Sequence, residues 1–138
     1  LRLSSLGWAR WAPVQLAAII VHGTGGAGLI FGNKSRLANQ PEAQTNTKVK
    51  LALTIAAAAA TLYAGILGTK ISKHADEGGE GVTEPNADAS DELAAVQRQQ
   101  RVLQWVLPTL TGALIILGAQ QGEQQRPVAG LLRRLTHR

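Results

Sequence analysis

The sequence predicts an all-α integral membrane protein with three transmembrane helices and an amphipathic C-terminal tail. Three segments without Asp, Glu, Lys or Arg, at about 12–32, 51–69 and 102–119, alternate with strongly polar connectors. Each is close to the ~20 helical residues that cross a hydrocarbon core of roughly 30 Å. Basic residues flank the segments and tryptophans lie near their ends, as is typical of membrane–water interfaces.

Length and composition indicate a single membrane domain, 1–138, without catalytic chemistry. The chain has 138 residues and no cysteine, which excludes disulfides, thiolate metal sites and thiol catalysis. The sequence contains no recognisable nucleophile–base pair, metal cluster or phosphate loop, so we expect neither an enzyme nor a metal protein. The net charge of +5 is spread along the membrane flanks, which favours the lipid bilayer over nucleic acid as a partner.

A soluble three-helix bundle is the alternative fold class. Such a bundle would carry charged residues on an exposed face of each helix, and the three segments lack them. A signal peptide is an alternative for the first segment only. The start of the chain is weakly basic and the apolar run exceeds the usual length of a signal core, so we favour a transmembrane helix.

The first segment contains the letters GTGGAG at 23–28, which satisfy the dinucleotide-binding pattern G-x-G-x-x-G. That fold needs an acid about 20 residues further on to bind the ribose, and positions 45–47 read Thr-Asn-Thr. In lipid, small residues let helix backbones approach closely. Thr24, Gly28 and Gly32 recur every four residues, so we interpret the glycines as a helix-packing face.

The second segment carries two adjacent lines of small residues. The predicted helix-packing positions on it are Ala57, Ala60, Thr61, Ala64, Gly65 and Gly68. Two lines on one helix predict neighbours on both sides. We therefore expect a non-catalytic, accessory subunit that packs in a homo-oligomer or with other membrane-protein subunits.

His22 is the one ionisable side chain near the middle of a segment, which makes it a functional candidate. It is the candidate cofactor-binding residue of an alternative function, a haem- or quinone-associated membrane anchor. Haem ligation by two histidines would need a second one at the same depth, and His74 and His137 lie outside the segments. Two other roles for His22 need no cofactor. One is a hydrogen bond to another helix. The other is to line, with Gln15 and Gln104, a polar path through a small oligomeric channel or transporter.

The connectors 33–50 and 70–101 are expected to be polar loops. Glycines and seven acids predict a flexible, solvated stretch in the first part of 70–101. Ser90 is the expected cap of a helix that continues into the third segment.

The tail, 126–138, reads as a basic amphipathic segment that lies on the membrane surface, with Arg133, Arg134 and Arg138 at the lipid. Eight basic residues flank the membrane on the side of the first connector and six on the other side. The positive-inside rule then places the N-terminus outside and the C-terminus inside, in the cell (cytoplasmic) membrane.

Two stretches of the chain resemble an uncharacterised group of small multi-pass membrane proteins of GC-rich actinobacteria. They are TNTKVKLALTIAAAAATLYAGILG at 45–68 and AAVQRQQRVLQWVLPTLTGALIILGAQQGEQQRP at 94–127, with VTEP at 82–85 between them. The resemblance covers most of residues 8–127. It implies a bacterial multi-pass membrane protein and, because the group has no assigned function, transfers no catalytic residue.

Overall fold

A computed structural model describes residues 1–39 and 41–124, and over these residues the chain is helical without a strand. Its elements are α1 (Arg2–Gly32), α2 (Lys34–Asn39), α3 (Pro41–Lys73), a 3₁₀ turn (Ala75–Glu77) and α4 (Asp91–Gln124). The helices α1, α3 and α4 are long and apolar enough to cross a membrane. The predicted fold class is thereby confirmed for this part of the chain. The predicted tail, 126–138, lies outside the described residues.

The helices extend well beyond the uncharged segments. α1 begins at Arg2 and α4 at Asp91, and α3 includes residues 41–50, where a polar loop was expected. A helix satisfies its own backbone groups in water as well as in lipid, so a change in polarity does not end it. Pro41 stands at the first helical position, where its missing N–H costs no hydrogen bond.

Ser90 caps α4 as predicted. Its hydroxyl oxygen accepts a hydrogen bond from the Leu93 N–H at 3.3 Å, and its carbonyl accepts one from the Ala94 N–H at 2.9 Å. Asp91 and Glu92 follow in the first turn, where the helix dipole favours negative charge.

α3 and α4 form the main packing unit, an antiparallel pair with a regular seam. Half-buried or buried positions recur at alternating intervals of three and four residues on both helices. This repeat of about 3.5 residues is that of a left-handed coiled coil. The seam consists of Lys50, Leu53, Ala57, Ala60, Ala64, Leu67 and Ile71 on α3, and of Leu93, Val96, Gln100, Leu103, Leu107, Leu110, Leu114, Leu117 and Gln121 on α4.

The tightest part of the seam lies at the end where α3 and α4 are joined. Leu67, Ile71, Leu93 and Val96 form the buried apolar cluster of the described chain. Nearby, the Tyr63 hydroxyl donates to the side-chain oxygen of Gln99. At the opposite end the ammonium of Lys50 donates to Gln121 Oε1 at 2.9 Å.

α1 runs antiparallel to α3 and is much less packed. No residue of α1 is buried. Leu1, just before it, packs against the buried apolar cluster, and Arg2 pairs with Asp76 at 2.9 Å. The N-terminus and the α3–α4 connection thus lie at one end of the molecule, and the α1–α3 connection at the other, as three spans require.

The connection between α3 and α4 is an ordered loop rather than the flexible stretch that its composition predicted. The side-chain amide of Gln97, fully buried on α4, donates to the carbonyls of Gly81 at 3.2 Å and Val82 at 3.1 Å. Asn86 donates to the Glu77 carbonyl at 3.0 Å. Gly78 has φ of 76°, a left-handed conformation that suits glycine. Side-chain amides thus satisfy backbone carbonyls that a flexible loop would leave to water.

Candidate functional site: the cleft between α1 and α3

An open cleft of about 750 Å³ separates the second half of α1 from the first half of α3. Its α1 wall consists of Val21, His22, Gly23, Gly25, Gly26, Ala27, Leu29, Ile30 and Asn33. The opposite wall consists of Leu37 on α2, of Thr47, Lys50, Leu51 and Thr54 on α3, and of Gln121 on α4. The volume lies within the range of about 300–1,000 Å³ that is usual for small-molecule sites.

The glycines of the cleft line empty space rather than a helix contact. A Cβ atom built on Gly23, Gly25 or Gly26 would meet nothing within 4 Å apart from the neighbouring backbone. Close packing of α1 on α3 would bring atoms of α3 within van der Waals distance of these positions. The small residues therefore leave room between the two helices that a ligand can occupy.

Lys50 is the only charged side chain among the described lining residues. It is half-buried, and its ammonium donates to the neutral amide oxygen of Gln121 at 2.9 Å. None of the ion pairs between described side chains joins a carboxylate to it. The cleft is therefore electrostatically positive at this end and apolar along most of its length.

His22 lies on the α1 wall of this cleft and is exposed. Among the described side chains it has no hydrogen-bond partner. Four threonine hydroxyls on the other two long helices each donate to a carbonyl of their own helix, those of Thr54, Thr61, Thr109 and Thr111. The structure also brings neither Gln15 nor Gln104 to the cleft wall, so His22 alone of the three lines it.

The packing residues predicted on α1 lie away from the cleft. Thr24, Gly28 and Gly32 are exposed, and a Cβ on either glycine would meet nothing within 4 Å. The Thr24 hydroxyl donates to the carbonyls of Ile20 and Val21, both at 3.0 Å. The hydroxyl is therefore satisfied within its own helix.

The packing residues predicted on α3 divide between two environments. Ala57, Ala60, Thr61 and Ala64 are half-buried, on or beside the α3–α4 seam. Gly65 and Gly68 are exposed, with open space where a side chain would stand. Contacts of these exposed glycines with a further chain stay a prediction.

A second polar cluster lies in the ordered loop and has a structural role. Glu77 accepts hydrogen bonds from the Ser90 N–H at 2.9 Å and from the His74 ring. The Ser90 N–H first, then the Ser90 hydroxyl and His74, lower the pKa of Glu77 below its ordinary value. In the same way the Thr83 hydroxyl and then Arg101 lower the pKa of Glu84. These two carboxylates therefore hold the loop on α4.

Lys50 and Gln121 form a polar contact in the cleft that sequence reasoning missed. They are 71 positions apart, and each looks like an ordinary polar flank of an apolar segment. Their joint position on the α3–α4 seam is the signal that relates them. On α3 the repeat of three and four residues runs from Ile71 back to Lys50, and on α4 it runs from Leu93 on to Gln121. Because the two helices are antiparallel, Lys50 and Gln121 lie at the same end of the α3–α4 pair.

Comparison of the chain with protein-family models, with curated proteins and with solved structures finds no match. The chain is a small membrane protein by the length and apolar character of its three long helices. The distinctive feature of its surface is that α1 is incompletely packed. One side of α1 faces the cleft, and another carries the exposed small residues Thr24 and Gly28.

Proposed function

We propose that this protein is a non-catalytic, accessory membrane subunit that assembles through α1, with further copies of itself or with other membrane proteins. The observation that carries the proposal is that α1 has no buried residue although Thr24, Gly28 and Gly32 form a smooth surface on it. Small residues at four-residue spacing are typical of interfaces between transmembrane helices. α1 is also the span with the least contact inside the chain.

The small-residue surface is accessible to a partner without rearrangement of the chain. Residues two positions apart on a helix are separated by roughly 200° of rotation. Thr24 and Gly28 therefore lie on the opposite side of α1 from His22 and Gly26, which line the cleft. A partner helix can contact them while α3 and α4 stay together.

The physical basis of assembly is close contact rather than burial from water. Lipid tails are as apolar as leucine, so helices associate in a bilayer through van der Waals packing of backbones that approach closely. Gly28 and Gly32 permit such an approach because no side chain projects from them. The satisfied Thr24 hydroxyl adds no unmet donor to the interface.

The test is a pair of matched substitutions on α1. We expect Gly28→Leu to weaken assembly by about 1 kcal/mol or more, roughly fivefold in the dissociation constant, because the new side chain holds the backbones apart. Gly26→Leu makes the same change on the cleft side and should leave assembly unaltered. Energy transfer between labelled copies, measured in vesicles over a range of protein-to-lipid ratios, reports both. Equal association of Gly28→Leu and wild type would contradict the proposal.

We further propose that the ordered loop faces the outside of the cell and the α1–α3 connection faces the cytoplasm, on the count of basic residues. Single cysteines can be introduced into this cysteine-free chain at Ala87 and at Ala38, both of which are exposed. In intact cells a membrane-impermeant maleimide should label Ala87→Cys and spare Ala38→Cys. The reverse pattern would invert the orientation.

A further inference from the structure

We propose that the cleft between α1 and α3 binds one anionic phospholipid, with its head group at Lys50 and an acyl chain along the glycine-lined wall of α1. This inference goes beyond assembly and does not rest on it, because Thr24 and Gly28 lie across α1 from the cleft residues His22 and Gly26. It follows from three properties of the cleft: its depth in the membrane, its polarity and its charge.

The cleft has its polar end where a lipid head group lies. Lys50 directly precedes the uncharged segment 51–69, and Asn33 directly follows the uncharged segment 12–32. Both therefore stand at the same membrane–water interface. From Asn33 the cleft extends along α1 to Val21, a distance of roughly 18 Å at 1.5 Å per residue, into the apolar region.

The apolar part of the cleft cannot stay empty in a bilayer. Glycines and aliphatic side chains form most of its α1 wall, and the glycine positions have free space in front of them. The cleft is open at its side, so acyl chains of the surrounding lipid have direct access. An apolar chain entering it leaves the helical backbone groups of these walls satisfied internally. The imidazole of His22, at the inner end of the α1 wall, gains no hydrogen-bond partner from such a chain.

Lys50 determines which lipid is preferred. A half-buried ammonium has three N–H donors, and the structure gives it one acceptor, the neutral oxygen of Gln121. A charge removed from bulk water is stabilised by a counter-charge with hydrogen-bond acceptors. A phosphate group with no compensating choline supplies both. A zwitterionic lipid supplies the acyl chain but carries its own cation, which competes with Lys50.

A helix from a second copy of this chain is a poorer occupant of the cleft. The three uncharged segments of the chain contain no carboxylate, so an inserted span would offer Lys50 no counter-charge. A quinone would fill the apolar part and approach His22, yet it too carries no negative charge for Lys50. Charge complementarity therefore selects the anionic phospholipid.

The experiment measures which lipid stays bound. Wild-type protein is released from vesicles of equal parts phosphatidylglycerol and phosphatidylcholine, and the retained lipid is identified by native mass spectrometry. We expect about fivefold more phosphatidylglycerol than phosphatidylcholine, since one Lys near an anionic surface contributes about that factor. In Lys50→Gln the ratio should fall to about one, and in Lys50→Arg, which keeps the charge, the preference should persist.

Lys48→Gln is the matched control for charge. Lys48 is exposed, does not line the cleft and lies two residues earlier on the same helix. The variant removes the same charge near the same interface and should keep the preference for phosphatidylglycerol. If Lys48→Gln lowers the preference as much as Lys50→Gln does, the effect is general surface attraction and the cleft site is wrong. Retention of a quinone instead of a phospholipid by wild type would also overturn it.

Two glycine variants separate this inference from the proposed assembly. Gly26→Leu places a side chain in the cleft and should lower retention of both lipids severalfold, while Gly28→Leu, on the opposite side of α1, should retain them normally. If Gly26→Leu loses lipid, the lipid site is supported. If Gly28→Leu in the same experiments assembles as wild type does, the proposed subunit role is refuted while the lipid site stands. Normal lipid retention in Gly26→Leu would refute the lipid site whatever the assembly result.

Discussion

The loop end of the α3–α4 pair and the middle of α1 are both rich in apolar residues, yet only the first is packed. Leu67 and Leu93 are 2% and 0% exposed, whereas Leu16 and Ile20, in the middle of α1, are each 57% exposed. The difference in packing follows from the medium around each region, which is water at the loop end and lipid along α1. At the loop end, water surrounds the helices and the hydrophobic effect closes them on each other.

Along α1 that driving force is absent. Inside a bilayer the alternative to a neighbouring helix is lipid, which is equally apolar, so exposed leucines carry no penalty. α1 is held at its N-terminal end, where Leu1 packs on the buried apolar cluster and Arg2 pairs with Asp76. The chain therefore folds as a tight helical pair plus one loosely attached span. That span is the one among the three long helices without a buried residue.

The largest effect that tests this comparison is expected from Leu93→Ala. Leu93 is fully buried in the apolar cluster, so truncation leaves a cavity and should lower the free energy of unfolding by about 2–5 kcal/mol. Leu16→Ala makes the same chemical change on α1 and should alter it by no more than about 0.5 kcal/mol. Titration with dodecyl sulfate from mixed micelles, followed by tryptophan emission, measures both. Similar losses in the two variants would mean that α1 is packed as tightly as the pair.

A smaller effect is expected from Gln97→Leu, which tests whether the loop is fixed by α4. The variant removes two hydrogen bonds to the carbonyls of Gly81 and Val82. Gln97 Oε1 is buried without a hydrogen-bond partner, and its removal offsets part of the loss. We expect a net cost of about 1–2 kcal/mol, seen as roughly tenfold faster hydrogen exchange of the amides in 78–90. Arg98→Leu, an exposed neighbour, should leave that exchange rate unchanged.

The smallest effect is a pH dependence confined to the same loop. The pKa of Glu77 is lowered from 4.5, chiefly by the Ser90 N–H, so its ionised form favours the ordered loop. This contribution is complete above pH 4.5 and is lost as the pH falls through the lower, folded value. An NMR titration of the Glu77 carboxyl should therefore have its midpoint below 4.5, with the loop amide shifts moving together with it. A midpoint at or above 4.5 would show that Ser90 does not hold the carboxylate in solution.

The fold class and the number of spans follow from the sequence because both depend on local quantities. The length of an uncharged run measures a span directly, and Ser90 followed by two acids marks a helix start. Helix ends in the connector 33–50 were less predictable. Polar residues such as Asn46 and Lys48 do not break a helix, and only the turn at Asn33 interrupts it before α2.

The ordered loop and the cleft depend on contacts between residues far apart in the sequence. Gln97 reaches a carbonyl 16 positions away, and Lys50 meets an amide 71 positions away. The glycine and acid content of the loop predicts flexibility when the loop is considered alone. It does not reveal that the side-chain amide of Gln97, on the following helix, binds the loop carbonyls. For α1, small-residue spacing identifies a surface without identifying what covers it.

The pair between Arg2 and Asp76 makes the attachment of α1 sensitive to ionic strength. Its side chains are 77% and 84% exposed, so the attraction acts largely through water and contributes at most about 1 kcal/mol. The Debye length shrinks from about 8 Å at 0.15 M salt to about 3 Å at 1 M. In concentrated salt the N-terminal end of α1 is therefore held mainly by Leu1 on its apolar contact.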